Sequence, residues 1–158
     1  MMRTLIFSII LSLGSVLAQA DTRLPEQEFN ILKEAGAISS GDILYVDFWA
    51  SWCNPCRKSF PWMNSMADKY KDQGFKILAI NVDKERALAD RFLGMTETHF
   101  PVFYDPEGHF AELFKLKGMP SSFILSADGS ILSTHKGFFD HQLDNYEQEI
   151  QTLLKASR

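Results

Sequence analysis

Two stretches of the chain are apolar at nearly every position, Ile43-Leu44-Tyr45-Val46-Asp47-Phe48-Trp49-Ala50 and Phe75-Lys76-Ile77-Leu78-Ala79-Ile80-Asn81-Val82. Runs that do not alternate and are rich in β-formers predict strands buried on both faces of a sheet. Asp47 is the ionisable exception in the first run. Between the runs the period lengthens. Phe60, Met63, Ala67 and Tyr70 fall on one helical face, and Gly74 stands where a C-cap belongs. Strand, helix, strand predicts a right-handed βαβ unit with parallel strands.

Downstream, a second helix is expected over about Lys84–Leu93, with Asp83 as its N-cap. Pro101–Tyr104 is a short strand candidate, and Asp105-Pro106-Glu107-Gly108 a turn. Ser122–Leu125 and Ser130–Thr134 flank Ala127-Asp128-Gly129, the pattern of an antiparallel hairpin. A closing amphipathic helix turns Leu143, Tyr146, Ile150, Leu153 and Leu154 inward, with Asp140 as its N-cap. Residues 21–42 are polar, with one short helix at Glu26–Ala35 and a turn cluster at Ser39–Asp42. The expected class is α/β: a central mixed β-sheet with helices on both faces over residues 43–158, preceded by a lead-in segment, 21–42.

The first twenty residues follow another logic. Arg3 precedes an uncharged apolar run, Leu5–Ala18, and Ala18-Gln19-Ala20 places small residues just before Asp21. This is the pattern of a secretory signal peptide, residues 1–20. The other readings are a buried N-terminal helix or a retained anchor, although the run is short of the ~20 residues that span a bilayer. With the signal removed, the expected location is periplasmic or otherwise exported, without stable membrane insertion.

Composition adds limits. With 46% hydrophobic residues the chain can build one core, and its net charge of −4 comes without a basic stripe, so no nucleic-acid partner is expected. His99, His109, His135 and His141 lack ligand spacing and are expected on the surface or in loops. No metal or other cofactor is expected.

The two cysteines, Cys53 and Cys56, carry the candidate chemistry. A disulfide closing so short a loop removes little unfolded-state entropy, so the spacing points to redox chemistry more than to stability. The pair lies where a buried strand meets a helix. The unpaired N–H groups and partial positive charge of a helix N-terminus stabilise a thiolate. Cys53 is therefore expected as the solvent-open attacking nucleophile, and Cys56, one turn further in, as the shielded resolving thiol. Pro55 falls in the first turn, where its missing N–H is not needed.

The segment Trp52-Cys53-Asn54-Pro55-Cys56-Arg57 resembles the active site of the thioredoxin superfamily, and the wider chain resembles its exported TlpA/ResA-like branch. The resemblance runs over about Gly41–Lys136. It implies a thioredoxin-like fold and thiol–disulfide oxidoreductase activity. Pro61 matches the proline that kinks the family's active-site helix. Gly118-Met119-Pro120-Ser121-Ser122-Phe123 resembles its cis-proline loop, where Met119 and Pro120 would bind substrate backbone. Trp52 is expected on the surface beside the nucleophile and Trp49 in the core.

Two departures stand out. Many members of the branch carry a Glu where this chain has Ser59. Asp47 matches the buried acid of cytoplasmic thioredoxins, but Ala79 stands where those proteins place a nearby Lys. Burial without a cation raises a carboxyl pKa. Asp47 is therefore a candidate acceptor for the Cys56 proton, or else simply a hydrogen-bonded buried acid.

The resemblance implies a reductase of exported client proteins that contain disulfides, fed by a DsbD/CcdA-like membrane thiol donor. Cytochrome c maturation is one client pathway in the branch. A disulfide-donating oxidase and a non-catalytic binding module are the alternatives. The Asn54-Pro55 dipeptide lacks the His found between the cysteines of strong oxidants, and the Pro-x-x-x-Thr-x-x-Cys setting of peroxidases is missing.

Overall fold

The computed structural model describes residues 23–157. The signal-peptide expectation for residues 1–20 lies outside them. The chain builds α1 (Glu26–Ala35), β1 (Ile43–Trp49), α2 (Asn54–Tyr70), β2 (Phe75–Asn81), α3 (Arg86–Leu93) and β3 (Val102–Tyr104). It continues through α4 (His109–Leu113), β4 (Ser121–Ser126), β5 (Ile131–Lys136) and α5 (Leu143–Ala156). The strands form one mixed sheet in the order β3-β2-β1-β4-β5. β1 pairs parallel with β2 and antiparallel with β4, β2 pairs parallel with β3, and β4 pairs antiparallel with β5.

β1 lies at the centre, and all seven of its residues are buried. Its alternating side chains feed two cores. Ile43, Tyr45 and Trp49 pack with Phe75, Ile77, Ala79 and Ile124 under α2, α3 and α5. Leu44, Val46 and Phe48 pack with Leu78, Ile80, Phe123 and Leu125 under α1 and α4. Both faces are covered by helices, as the double-sided apolar runs require, and the fold is thioredoxin-like. Among the described residues no helix is long and apolar enough to cross a membrane.

The polar lead-in contributes to the second core. Phe29 and Leu32 of α1 are buried there, and the Leu24 N–H bonds the Gly129 carbonyl at 3.0 Å. Gly129 has φ +88°, and a Cβ at that position would sit 2.9 Å from the Phe29 ring. The β4–β5 turn and α1 therefore fit together only because residue 129 has no side chain. Gly74, at φ +86°, ends a short 3₁₀ turn that extends α2.

Three local expectations are corrected. Asp83 does not cap α3: the cap position is Glu85, without a side-chain bond, because the Asp83 carboxylate is already held elsewhere. Asp140 does not cap α5, since a 3₁₀ turn over Asp140–Gln142 intervenes and Gln142 takes the cap position. His135 is neither in a loop nor fully exposed. It lies in β5 with a side-chain exposure of 17%, because Glu149 of α5 and the Tyr146 ring take it in. The five-residue helix α4 is too short to leave a periodic signature, so residues after the 105–108 turn carry no helical expectation.

Candidate active site

The apolar run of β1 ends at Trp49, and the chain turns once before α2 begins at Asn54. Cys53 occupies the N-cap position with extended backbone, and its sulfur accepts the Cys56 N–H at 3.3 Å. A cysteine here takes the place of the Ser or Asp at other helix starts, its sulfur sharing the Cys56 N–H with the Cys53 carbonyl, which accepts it at 3.1 Å. Cys53 and Cys56 form a disulfide with an S–S distance of 2.07 Å. Pro55 sits in the first turn. Pro61 lies inside α2, where it provides no N–H for the Arg57 carbonyl.

The two sulfurs are unequal in the expected order but closer than expected. Cys56 is 0% exposed and Cys53 only 5%. The expectation of a solvent-open Cys53 is thus corrected for the oxidised form. With its sulfur bonded to that of Cys56, Cys53 belongs to the first core cluster, with Met119 packed against that cluster from the neighbouring loop. Trp52 is 66% exposed, an apolar indole left on the surface next to Cys53. Trp49 is fully buried, 5.2 Å from the Phe60 ring and 4.9 Å from Phe92. The Met119–Pro120 peptide bond is cis. The Pro120 carbonyl accepts the Gly137 N–H at 2.8 Å, which ties this loop to the end of β5.

Asp47 lies on the face of β1 that points into the core containing both cysteines, because it shares the parity of Tyr45 and Trp49. It is 2% exposed, and its Oδ2 has no hydrogen-bond partner. Its neighbours in register are Ala79 on β2 and Ser122 on β4, so neither adjacent strand presents a cation there. Burial pushes the Asp47 carboxyl well above the usual carboxylate range. Beside it, the Tyr45 hydroxyl is also pushed up, by burial first and then by the Asp47 charge, and it bonds Ser122. Ser122 Oγ in turn lies 3.3 Å from His135 Nδ1, and His135 Nε2 lies 2.6 Å from Glu149. Position 59 contributes no titratable group: the Ser59 hydroxyl is buried and donates to the Cys56 carbonyl at 2.9 Å.

The element that sequence reasoning missed is Asp83. Its Oδ2 accepts the Ser51 N–H at 2.9 Å and the Asn81 side-chain amide at 2.8 Å, while Oδ1 accepts the Ser51 hydroxyl at 3.0 Å. The Val82 N–H reaches the Trp49 carbonyl at 3.0 Å, so the end of β2 is tied to the turn that carries Cys53. The Asn81-Val82-Asp83 run was the available signal, since two polar residues end an otherwise apolar strand beside the motif. Arg57, from α2, reaches the Ser51 carbonyl at 3.4 Å and stacks 5.4 Å from the Phe92 ring. Among the described residues, no three His, Cys, Asp or Glu side chains are grouped as a metal ion needs.

Comparison with known proteins agrees with this geometry. The family model described as Redoxin matches residues 23–150. The thiol-disulfide oxidoreductase ResA of Bacillus thuringiensis subsp. konkukian (strain 97-27) is 32% identical over 111 residues, 70% of this chain and 64% of that protein. ResA of Bacillus subtilis (strain 168) is 28% identical over 97 residues, 61% of this chain and 54% of that protein. The chain thus spans less than two thirds of the length of these relatives. Among solved structures, a Chlorobium tepidum protein assigned as a thiol:disulfide interchange protein DsbE superposes with a TM-score of 0.71 at 44% identity. That match covers 73% of this chain and 82% of the other. StoA from Bacillus subtilis follows with a TM-score of 0.60 at 26% identity, covering 69% and 84%.

Proposed function

Because the chain belongs to the redoxin family, we propose that it is a thiol–disulfide oxidoreductase that reduces disulfides of exported client proteins through Cys53 and Cys56. The observation that carries this reading is the Cys53–Cys56 disulfide closed across the N-terminus of α2, with Cys53 at the cap and Cys56 fully buried behind it. In the reduced protein the helix N-terminus stabilises the Cys53 thiolate. That thiolate attacks one sulfur of a client disulfide, forming a Cys53–client S–S bond and expelling the other client sulfur as a thiolate. Cys56 loses its proton and attacks Cys53 Sγ. The second client sulfur leaves, two electrons have passed to the client, and the Cys53–Cys56 disulfide remains.

Asp47 accepts the Cys56 proton. It is buried without a hydrogen bond at Oδ2, and its raised pKa makes its ionised form a stronger base than an ordinary carboxylate. Met119 and Pro120 bind client backbone beside the disulfide, and exposed Trp52 offers an apolar surface next to Cys53. Trp52, Pro55 and Pro61 act by shaping the site. The protein works in the periplasm or an equivalent exported space after loss of residues 1–20. A DsbD/CcdA-like membrane thiol donor returns it to the dithiol.

The redox potential tests the direction of electron flow. A value near the ~−270 mV of thioredoxin supports the reductase, whereas one near the ~−120 mV of DsbA makes the protein a disulfide donor instead.

A further inference from the structure

Two hollows, of about 200 and 270 Å³, run side by side on the surface next to the Met119–Pro120 loop. They share Lys117, Ser121 and Lys136 as a common wall. The first abuts Met119 and Pro120 directly. The second continues over Phe114 and Phe123, which belong to the second core, toward Lys115 and Thr134. Together they form one groove that starts at the redox site and leads away along β5. β5 is an edge strand, and Lys136 at its end is exposed.

The charge of this groove opposes that of the molecule. The chain carries a net charge of −4, yet Lys115, Lys117 and Lys136 all rim these hollows. All three are exposed, and among the described residues none of them forms an ion pair. The nearest acid along the chain, Glu112, is one turn before Lys115 in α4. Lys115 also holds a left-handed backbone at φ +52° just past α4, with its N–H bonded to the Glu112 carbonyl at 2.8 Å. Gly or Asn fills such a position at lower cost.

We propose that this groove docks an acidic segment of the client protein, so that the preferred substrates are disulfides flanked by Asp and Glu. The inference rests on the oxidoreductase reading and names the chemistry of its substrate. The apolar floor at Phe114 and Phe123 receives an uncharged side chain, and the three ammonium groups face carboxylates on either side of it. Exposed charge pairs of this kind add little static affinity, but they accelerate and orient encounter, and salt screens them. The discrimination therefore lies in kcat/KM and falls as ionic strength rises.

The test uses the reduced full chain and three disulfide-bonded peptides identical except for their flanks, which carry four Asp, four Lys or four Ser. At low salt the acidic peptide is reduced about tenfold faster than the Ser peptide and faster still than the basic one, and 1 M salt removes the spread. In Lys117→Glu/Lys136→Glu the ratio of acidic to basic rates inverts. Reduction of all three peptides at equal rates, or fastest reduction of the Ser or Lys peptide, overturns the inference and leaves the oxidoreductase reading standing. Reduction of none of them overturns both.

Discussion

The Asp83 carboxylate holds the Ser51 backbone N–H at 2.9 Å, two residues before Cys53. With the bond to the Ser51 hydroxyl and the one from Asn81, it fixes the turn between β1 and α2 against the end of β2. The position of Cys53 therefore depends on a buried polar knot as well as on its own helix.

Asp83→Ala removes the acceptor and leaves the Ser51 N–H and the Asn81 amide without their partner. The expected cost is about 1–3 kcal/mol of stability in the oxidised protein. It comes with loss of hydrogen-exchange protection at the Ser51 amide. Denaturant unfolding and exchange NMR measure the two. Unchanged protection at Ser51 contradicts the positioning role.

Asp47 behaves in the opposite sense. Its carboxyl is raised in the folded state, so between the unfolded value and the folded value the native protein binds more protons. Stability contributed by the neutral acid is thus present at low pH and lost as pH rises through that window. Asp47→Asn should be more stable than the parent at neutral pH, by about 1–3 kcal/mol. The gap should close as pH falls toward the ordinary carboxylate range, as parallel denaturation curves will record. The same variant should slow release of the client from the mixed disulfide more than its formation. Equal effects on both steps remove Asp47 from the proton transfer.

Gly129→Ala tests whether the lead-in segment is structural. The added methyl meets the Phe29 ring at 2.9 Å and sits on a backbone with φ +88°. A loss of about 1–3 kcal/mol is expected. Gly108→Ala provides the comparison, because it has a similar positive φ of +77° with open space around it. It should cost less.

The double-sided burial of β1 and β2, the βαβ crossover, the hairpin and the inward face of α5 were all legible from hydrophobic period. The Asp47–Ala79 juxtaposition was legible too, because matching Asn81-Val82-Asp83 to the family put Ala79 at the Lys position, and β2 pairs it with Asp47. Other features were not. Asp83 looked like a helix cap because capping is a local rule, whereas its partners Ser51 and Asn81 meet it only after the sheet has formed. His135 looked like a surface residue because Glu149 and Tyr146 reach it from a helix that is distant in sequence. The near-complete burial of Cys53 depends on the disulfide and the surrounding cluster, which no spacing encodes.

Two sulfurs divide the labour of the exchange, and trapping measures that division most directly. The full-length Cys56→Ser protein, incubated with a disulfide-bonded peptide, should accumulate a mixed disulfide at Cys53, detected by mass spectrometry. Cys53→Ser under the same conditions should accumulate none. A mixed disulfide on Cys56, or equal trapping by both variants, contradicts the assignment of Cys53 as the attacking thiol.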